Sequence, residues 1–217
     1  MDVIEAILAR HSVRDFSNKT VVKDIVMKIL ETATFSPSGG NRQPWEVFVA
    51  SGVTMEKIRK MYKERSQSSP AAPGGPPPTP LPAFVQERMG VIIKERLELL
   101  GLDPDDPDSR KVFAEWGARL FGAPVLVVIC MDKAVSFHLD IGLFIQTICL
   151  AAQGHGIDSF IAGAFIKEQD VLRNELEIPE NLNIITGIGL GYSNPDSIIN
   201  TYRSPRRSIQ EVVRYKS

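Results

Sequence analysis

Apolar positions along the chain follow two rhythms. Val3, Ile4, Ile7 and Leu8 recur at helical spacing behind Asp2, and Ile25, Ile29, Leu30 and Ala33 repeat that spacing from about Val22 to Phe35. Both segments predict amphipathic helices, and they bracket the short stretch Arg10, His11, Ser12, Val13, Arg14. SPSGGNRQPW, Ser36 to Trp45, is rich in chain breakers and predicts a loop; EVFVASG after it predicts a strand ending at Gly52. Met55 to Lys63 is helical again.

Ser66 to Pro82 contains PAAPGGPPPTPLP, where proline removes the amide donors that a helix or an interior strand needs. An extended loop or flap is expected there; its PxxP spacing leaves a polyproline ligand as an alternative. Phe84 to Leu100 and Pro107 to Phe121 predict helices joined by a turn at Gly101 to Asp106. APVLVVICM, Ala123 to Met131, has the length and β-branched content of a buried strand. A helix is expected over His138 to His155, strands over Ser159 to Phe165 and Ile184 to Tyr192, and a helix between them from about Glu168 to Leu176. The tail, Ile209 to Tyr215, has Val212 and Val213 and could pair with a sheet edge. Helices and strands mix without regular βαβ alternation, which favours an α+β fold with a central sheet covered by helices.

At 217 residues, one core and one domain are expected. Hydrophobic residues at 43% and charged residues at 24% argue against disorder. A net charge of −1 argues against a broad surface for nucleic acid or an anionic membrane, so clustered arginines are local devices. The first residues lack a basic region followed by an apolar stretch, and Ala123 to Met131 and Ile141 to Ala152 are too short to span a bilayer. A cytoplasmic protein without a membrane partner is expected. Cys130 and Cys149 sit singly in apolar runs, as buried hydrophobes do, without the spacing of a metal or redox site.

Arg10, Ser12 and Arg14 offer two guanidinium forks and a hydroxyl, the donors that hold a phosphate. Alternatively, Arg10 only complements the C-terminal end of the first helix. Arg203, Arg206 and Arg207 form a second cluster near the other terminus. Gly187, Gly189 and Gly191 have the wrong spacing for a dinucleotide fingerprint and are expected to allow close packing within a central strand. His138 and Asp140, two apart on a helix, point in different directions and form no dyad. In the Ser36 to Trp45 loop, Ser38, Asn41 and Gln43 could read the carbonyl and imide edge of a planar heterocycle, with Gly39 and Gly40 allowing close approach; a plain helix cap and turn fits equally.

RHSVRDF, SPSGGNRQPWEVFV, FGAPVLVVI, LDIGLFIQTICLAA, GIDSFIAGAF, GIGLGY and SPRRSIQEVV, in this order over nearly the whole chain, resemble the FMN-dependent nitroreductase family. The resemblance implies a mostly antiparallel central sheet flanked by helices, in an intertwined homodimer with an FMN at the subunit interface. It implies one FMN-binding domain over residues 1–217, with a variable proline-rich cover at about 66–115. NADH or NADPH would be the reductant, and nitroaromatics, quinones or similar acceptors would be reduced at flavin N5. Reductive dehalogenation, oxygen-dependent flavin chemistry, or a flavin carrier or sensor without turnover are the alternatives.

By the same resemblance, Arg10 and Ser12 would hold the FMN phosphate with Arg206 and the neighbouring Arg203, and His11 would contribute mostly backbone. Arg14 would face the pyrimidine edge, where a cation stabilises the reduced ring. Pro37, Ser38, Gly39 and Asn41 would meet the flavin from the partner subunit, with Gln43 supporting their loop. Ile161, Ala162 and Gly163 would pack on one flavin face, the Gly163 amide nearest N5. Some members of the family carry an acid where this chain has Ala162, so contacts of that side chain do not transfer.

Overall fold

A computed structural model describes residues 1–68 and 81–217. Four strands, β1 (Glu46–Ser51), β2 (Val125–Asp132), β3 (Asp158–Ala162) and β4 (Leu182–Gly191), form one sheet in the order β1-β2-β4-β3, every neighbouring pair antiparallel. The helices are α1 (Val3–Ala9), α2 (Lys23–Ala33), α3 (Gly52–Ser68), α4 (Ala83–Leu99), α5 (Lys111–Ala118), α6 (His138–Gly154), α7 (Gln169–Leu176) and α8 (Ile209–Val212). The expected α+β architecture is therefore present.

β2 is interior to the sheet and buried almost end to end, which accounts for its unbroken apolar run. Its side chains alternate between two cores. Leu126, Val128 and Cys130 pack with Met55 and Ile58 of α3 and Val171 and Leu172 of α7. Val125, Val127 and Ile129 pack with Val26 and Ile29 of α2 and Ile141, Phe144 and Ile148 of α6. The two cysteines are buried and free, and burial pushes the Cys130 thiol up to about 11.

The glycines of β4 have the packing role expected of them. A Cβ at either Gly187 or Gly189 would lie 2.5 Å from Phe165, the large aromatic that closes this face of the sheet. Phe165 itself is completely buried and stacks edge-on against Phe160 and obliquely against Phe121.

Four expectations are corrected. α3 continues through Ser66 to Ser68, so the start of the expected flap is helix; residues 69–80, the rest of that flap before Leu81, lie outside the described residues. The helix expected over Pro107 to Phe121 is broken into α5 and two 3-10 turns, because Leu120 and Phe121 adopt positive φ (53° and 56°) to enter the core. There the Phe121 carbonyl accepts from the Phe16 amide at 3.0 Å. β3 stops at Ala162 instead of running to Phe165, and a 3-10 turn over Gly163–Ile166 swings Phe165 inward. The tail forms α8, closed by a Ser208–Glu211 capping box, in place of an edge strand.

Candidate functional site

α1 opens with a reciprocal cap, Asp2 accepting from the Glu5 amide at 2.8 Å and Glu5 from the Asp2 amide at 2.9 Å. It ends at Arg10, and the chain then runs along the outer edge of β3. Ser12 bridges Ser159 in parallel, and the Val13 amide donates to Ser159 O at 3.2 Å. The RHSVR segment is thus fixed against β3 immediately before Ile161, Ala162 and Gly163. Ile161 and Gly163 are exposed there. Gly163 is the first residue of its 3-10 turn, where the turn offers its amide no acceptor.

Arg14 is the unusual member of this segment. Its guanidinium is only 7% exposed, with its carbon 5.2 Å from the Phe160 ring centre and 5.9 Å from that of Tyr202. Nη1 donates to Ser12 O at 2.9 Å. Among the described residues no carboxylate pairs with it. Burial, and then the neighbouring charge of Arg96, pushes its pKa down to about 10. Arg96 of α4 lies 5.1 Å from the Tyr202 ring centre on its own side, and its buried Nε has no partner among the described residues. Glu95 accepts the Tyr202 hydroxyl at 2.6 Å and pairs with neither arginine. Arg14 and Arg96 together make this cluster electropositive, with Glu95 engaged by Tyr202 and Ser12 O taking one Arg14 donor.

The C-terminal cluster is brought to this place by Asn200. Its Oδ1 accepts from the amides of Arg14 (2.9 Å) and Asp15 (3.3 Å), and its Nδ2 donates to Asp15 O (2.7 Å) and Asn194 O (3.2 Å). Arg203 then donates to Asn200 O at 2.8 Å, and with His11, Asn194 and Thr201 it borders an open depression of about 480 Å³. The His11 ring turns back to Ala9 O at 3.0 Å. Arg206 is exposed and folds onto Ser204 O and Pro205 O, at 2.8 and 3.2 Å.

The Ser36–Trp45 loop lies elsewhere. It leads into β1 at the opposite edge of the sheet from β3. Three strand spacings, about 14 Å, separate the two edges. The loop is a tight turn: Gly40, Asn41 and Gln43 all have positive φ, at 60°, 57° and 42°. The Gln43 amide donates to Ser38 Oγ at 3.0 Å and its side chain to Asn41 O at 3.3 Å, so Gln43 does brace the turn. Trp45 anchors it by stacking on Phe144, with ring centres 4.4 Å apart and planes 4° from parallel. Pro37, Gly39 and Asn41 face outward, and Ser38 is half-buried.

The structure therefore joins Arg10 to Arg14, Ile161 to Gly163 and Arg203 at one edge, and leaves Pro37 to Gln43 at the other. Sequence reasoning missed Asn200, Phe160, Tyr202 and Arg96. They belong to no motif, and Asn200 meets Arg14 across 186 positions of chain. Among the described residues no group of three His, Cys, Asp or Glu could hold a metal, and no helix is long and apolar enough to cross a membrane.

A sequence model of the Nitroreductase family matches residues 7–192. The chain is 31% identical over 192 residues to the nitrobenzene nitroreductase of Ectopseudomonas oleovorans, covering 85% of this chain and 84% of that one. It is 29% identical over 209 residues to the chloronitrobenzene nitroreductase of Comamonas testosteroni, covering 93% and 91%. Among solved structures, the FMN-dependent nitroreductase NfnB of Mycobacterium smegmatis in complex with NADPH superimposes with a TM-score of 0.88, at 26% identity over 99% of this chain and 97% of that one. The chain belongs to the nitroreductase family.

Proposed function

We propose that this chain is an FMN-dependent NAD(P)H oxidoreductase that reduces nitroaromatic compounds, and quinones by the same route, as a homodimer with each FMN held between subunits. One observation carries the reading: Arg14 is a buried arginine with no carboxylate partner among the described residues, at the edge where Ser12, Ile161 and Gly163 also converge. Such a charge is costly to bury unless a ligand completes it. The relatives that reduce nitrobenzene and chloronitrobenzene, and the NfnB structure with NADPH, supply the substrate and reductant classes.

When bound, FMN accepts hydride and passes on electron pairs; the protein need supply no nucleophile. In this reading Arg10, Ser12 and the C-terminal arginines Arg203 and Arg206 hold the phosphate, for which the guanidinium fork is suited. Arg14 would meet the pyrimidine edge and favour negative charge there, while Ile161 and Ala162 would cover one face and the Gly163 amide would serve N5. Pro37, Ser38, Gly39 and Asn41 come from the second copy.

Two features support two copies. The Pro37–Gln43 turn and the RHSVR segment stand at opposite edges of one sheet, so they reach a common ligand across subunits. The outward faces of α1 and α6 also expose Val3, Ile4, Leu8 and Leu139, all more than half accessible, as an unburied apolar surface would before pairing. The purified protein is expected to be yellow, to bleach anaerobically with NADH or NADPH, and to regain its colour with nitrobenzene. A chain that stays colourless with added FMN contradicts this function. Restoration of colour by a halophenol but not by nitrobenzene would favour dehalogenation.

A further inference from the structure

From the loop geometry we infer that Asp140 is a positioning residue, which with Arg42 locks the Gly39–Gln43 turn into the shape that presents Ser38 and Asn41 to the flavin of the other subunit. The inference rests on the proposed function for the identity of that ligand.

Asp140 lies in the first turn of α6 and is only 4% exposed. An acid there would ordinarily serve the positive end of its own helix. Its two oxygens instead turn to the loop: Oδ2 accepts from Arg42 Nε at 2.8 Å and Oδ1 from the Gly39 amide at 3.4 Å. The Arg42 guanidinium lies over Phe137, its carbon 3.9 Å from the ring centre, so it is held between a carboxylate and an aromatic face. To arrive there it crosses directly over Gly39, where any side chain would collide with its guanidinium.

The turn needs such a clamp. Asn41 and Gln43 occupy the left-handed region, which Asn tolerates and Gln rarely adopts, and strain of this kind persists only where surrounding contacts over-determine it. Ser38 Oγ supplies one restraint from within the loop, Trp45 on Phe144 ties its far end to α6, and Asp140 ties the turn itself to that helix. Because the turn faces outward within one chain, its conformation matters to whatever approaches from outside.

Asp140→Ala and Arg42→Ala are expected to raise the FMN dissociation constant about tenfold, and to change the visible circular dichroism of the bound flavin. Arg42→Lys, which keeps a cation for Asp140, is expected to recover most of both. Arg42 is half-exposed, so its alanine variant remains informative should Asp140→Ala not fold. A fall in thermal stability with FMN affinity and flavin dichroism unchanged in Arg42→Ala would show that the pair serves the fold alone and would overturn the inference. Failure of the unaltered protein to bind FMN would instead count against the proposed function.

Discussion

Replacing Arg14 with methionine is expected to separate folding from cofactor binding: the apoprotein is at least as stable as the parent, while FMN binds roughly ten- to a hundredfold more weakly. Methionine nearly fills the space between Phe160 and Tyr202 without the charge. Burial displaces the Arg14 pKa down to about 10, which disfavours the charged form in the folded chain. The sign is that of a buried base. Below about pH 10 the guanidinium is charged in both the folded and unfolded chain, so the penalty is constant and is relieved only as pH rises above about 10. No paired carboxylate is left stranded by the exchange, which is why stability does not fall. Urea unfolding of the apoprotein and fluorescence titration with FMN read the two quantities. A loss of apoprotein stability with unchanged FMN affinity would assign Arg14 to the fold alone.

Asn200→Ala should instead cost stability, lowering the unfolding free energy by about 2–4 kcal/mol because two amides and two carbonyls lose their partner together. For a chain of this size that is a fall in melting temperature of about 5–12 °C. FMN affinity should fall as well, since Asn200 O orients Arg203 and Asn200 Oδ1 fixes the backbone of Arg14. Asn200→Asp keeps the two acceptor contacts and loses both donor contacts, so it should lie between the parent and alanine. Differential scanning calorimetry of the three proteins tests this order; an alanine variant that melts with the parent would remove Asn200 from the joint.

Much of this arrangement was legible before any coordinates. The 3.6-residue period marked α1 and α2, the apolar run of Ala123 to Met131 marked a buried strand, and the alternate glycines of β4 marked close packing, which Phe165 then explained. These are local patterns, set by which face of an element meets the core. What escaped was set by distant partners. Leu120 and Phe121 leave the helical path because Phe16 and Phe160 wait for them, and nothing in FAEWGARLFG announces it. At the site, the arginine and glycine segments could be picked out by their chemistry. Asp140 drew notice only beside His138, with which it forms no dyad, and its grip on Arg42 appears only when residues 98 positions apart are brought together. The resemblance of seven segments to one family reached the cofactor class where spacing alone did not, because those segments are scattered along the chain and form no compact motif.

The central claim is that one FMN is gripped by two copies of the chain, Arg10, Ser12 and Arg14 from one and the Pro37–Gln43 turn from the other. Native mass spectrometry of the yellow protein measures this directly. The account predicts two chains carrying two FMN molecules, with FMN lost when the dimer is dissociated. A single chain that retains one FMN and still reduces nitrobenzene with NADPH would contradict it.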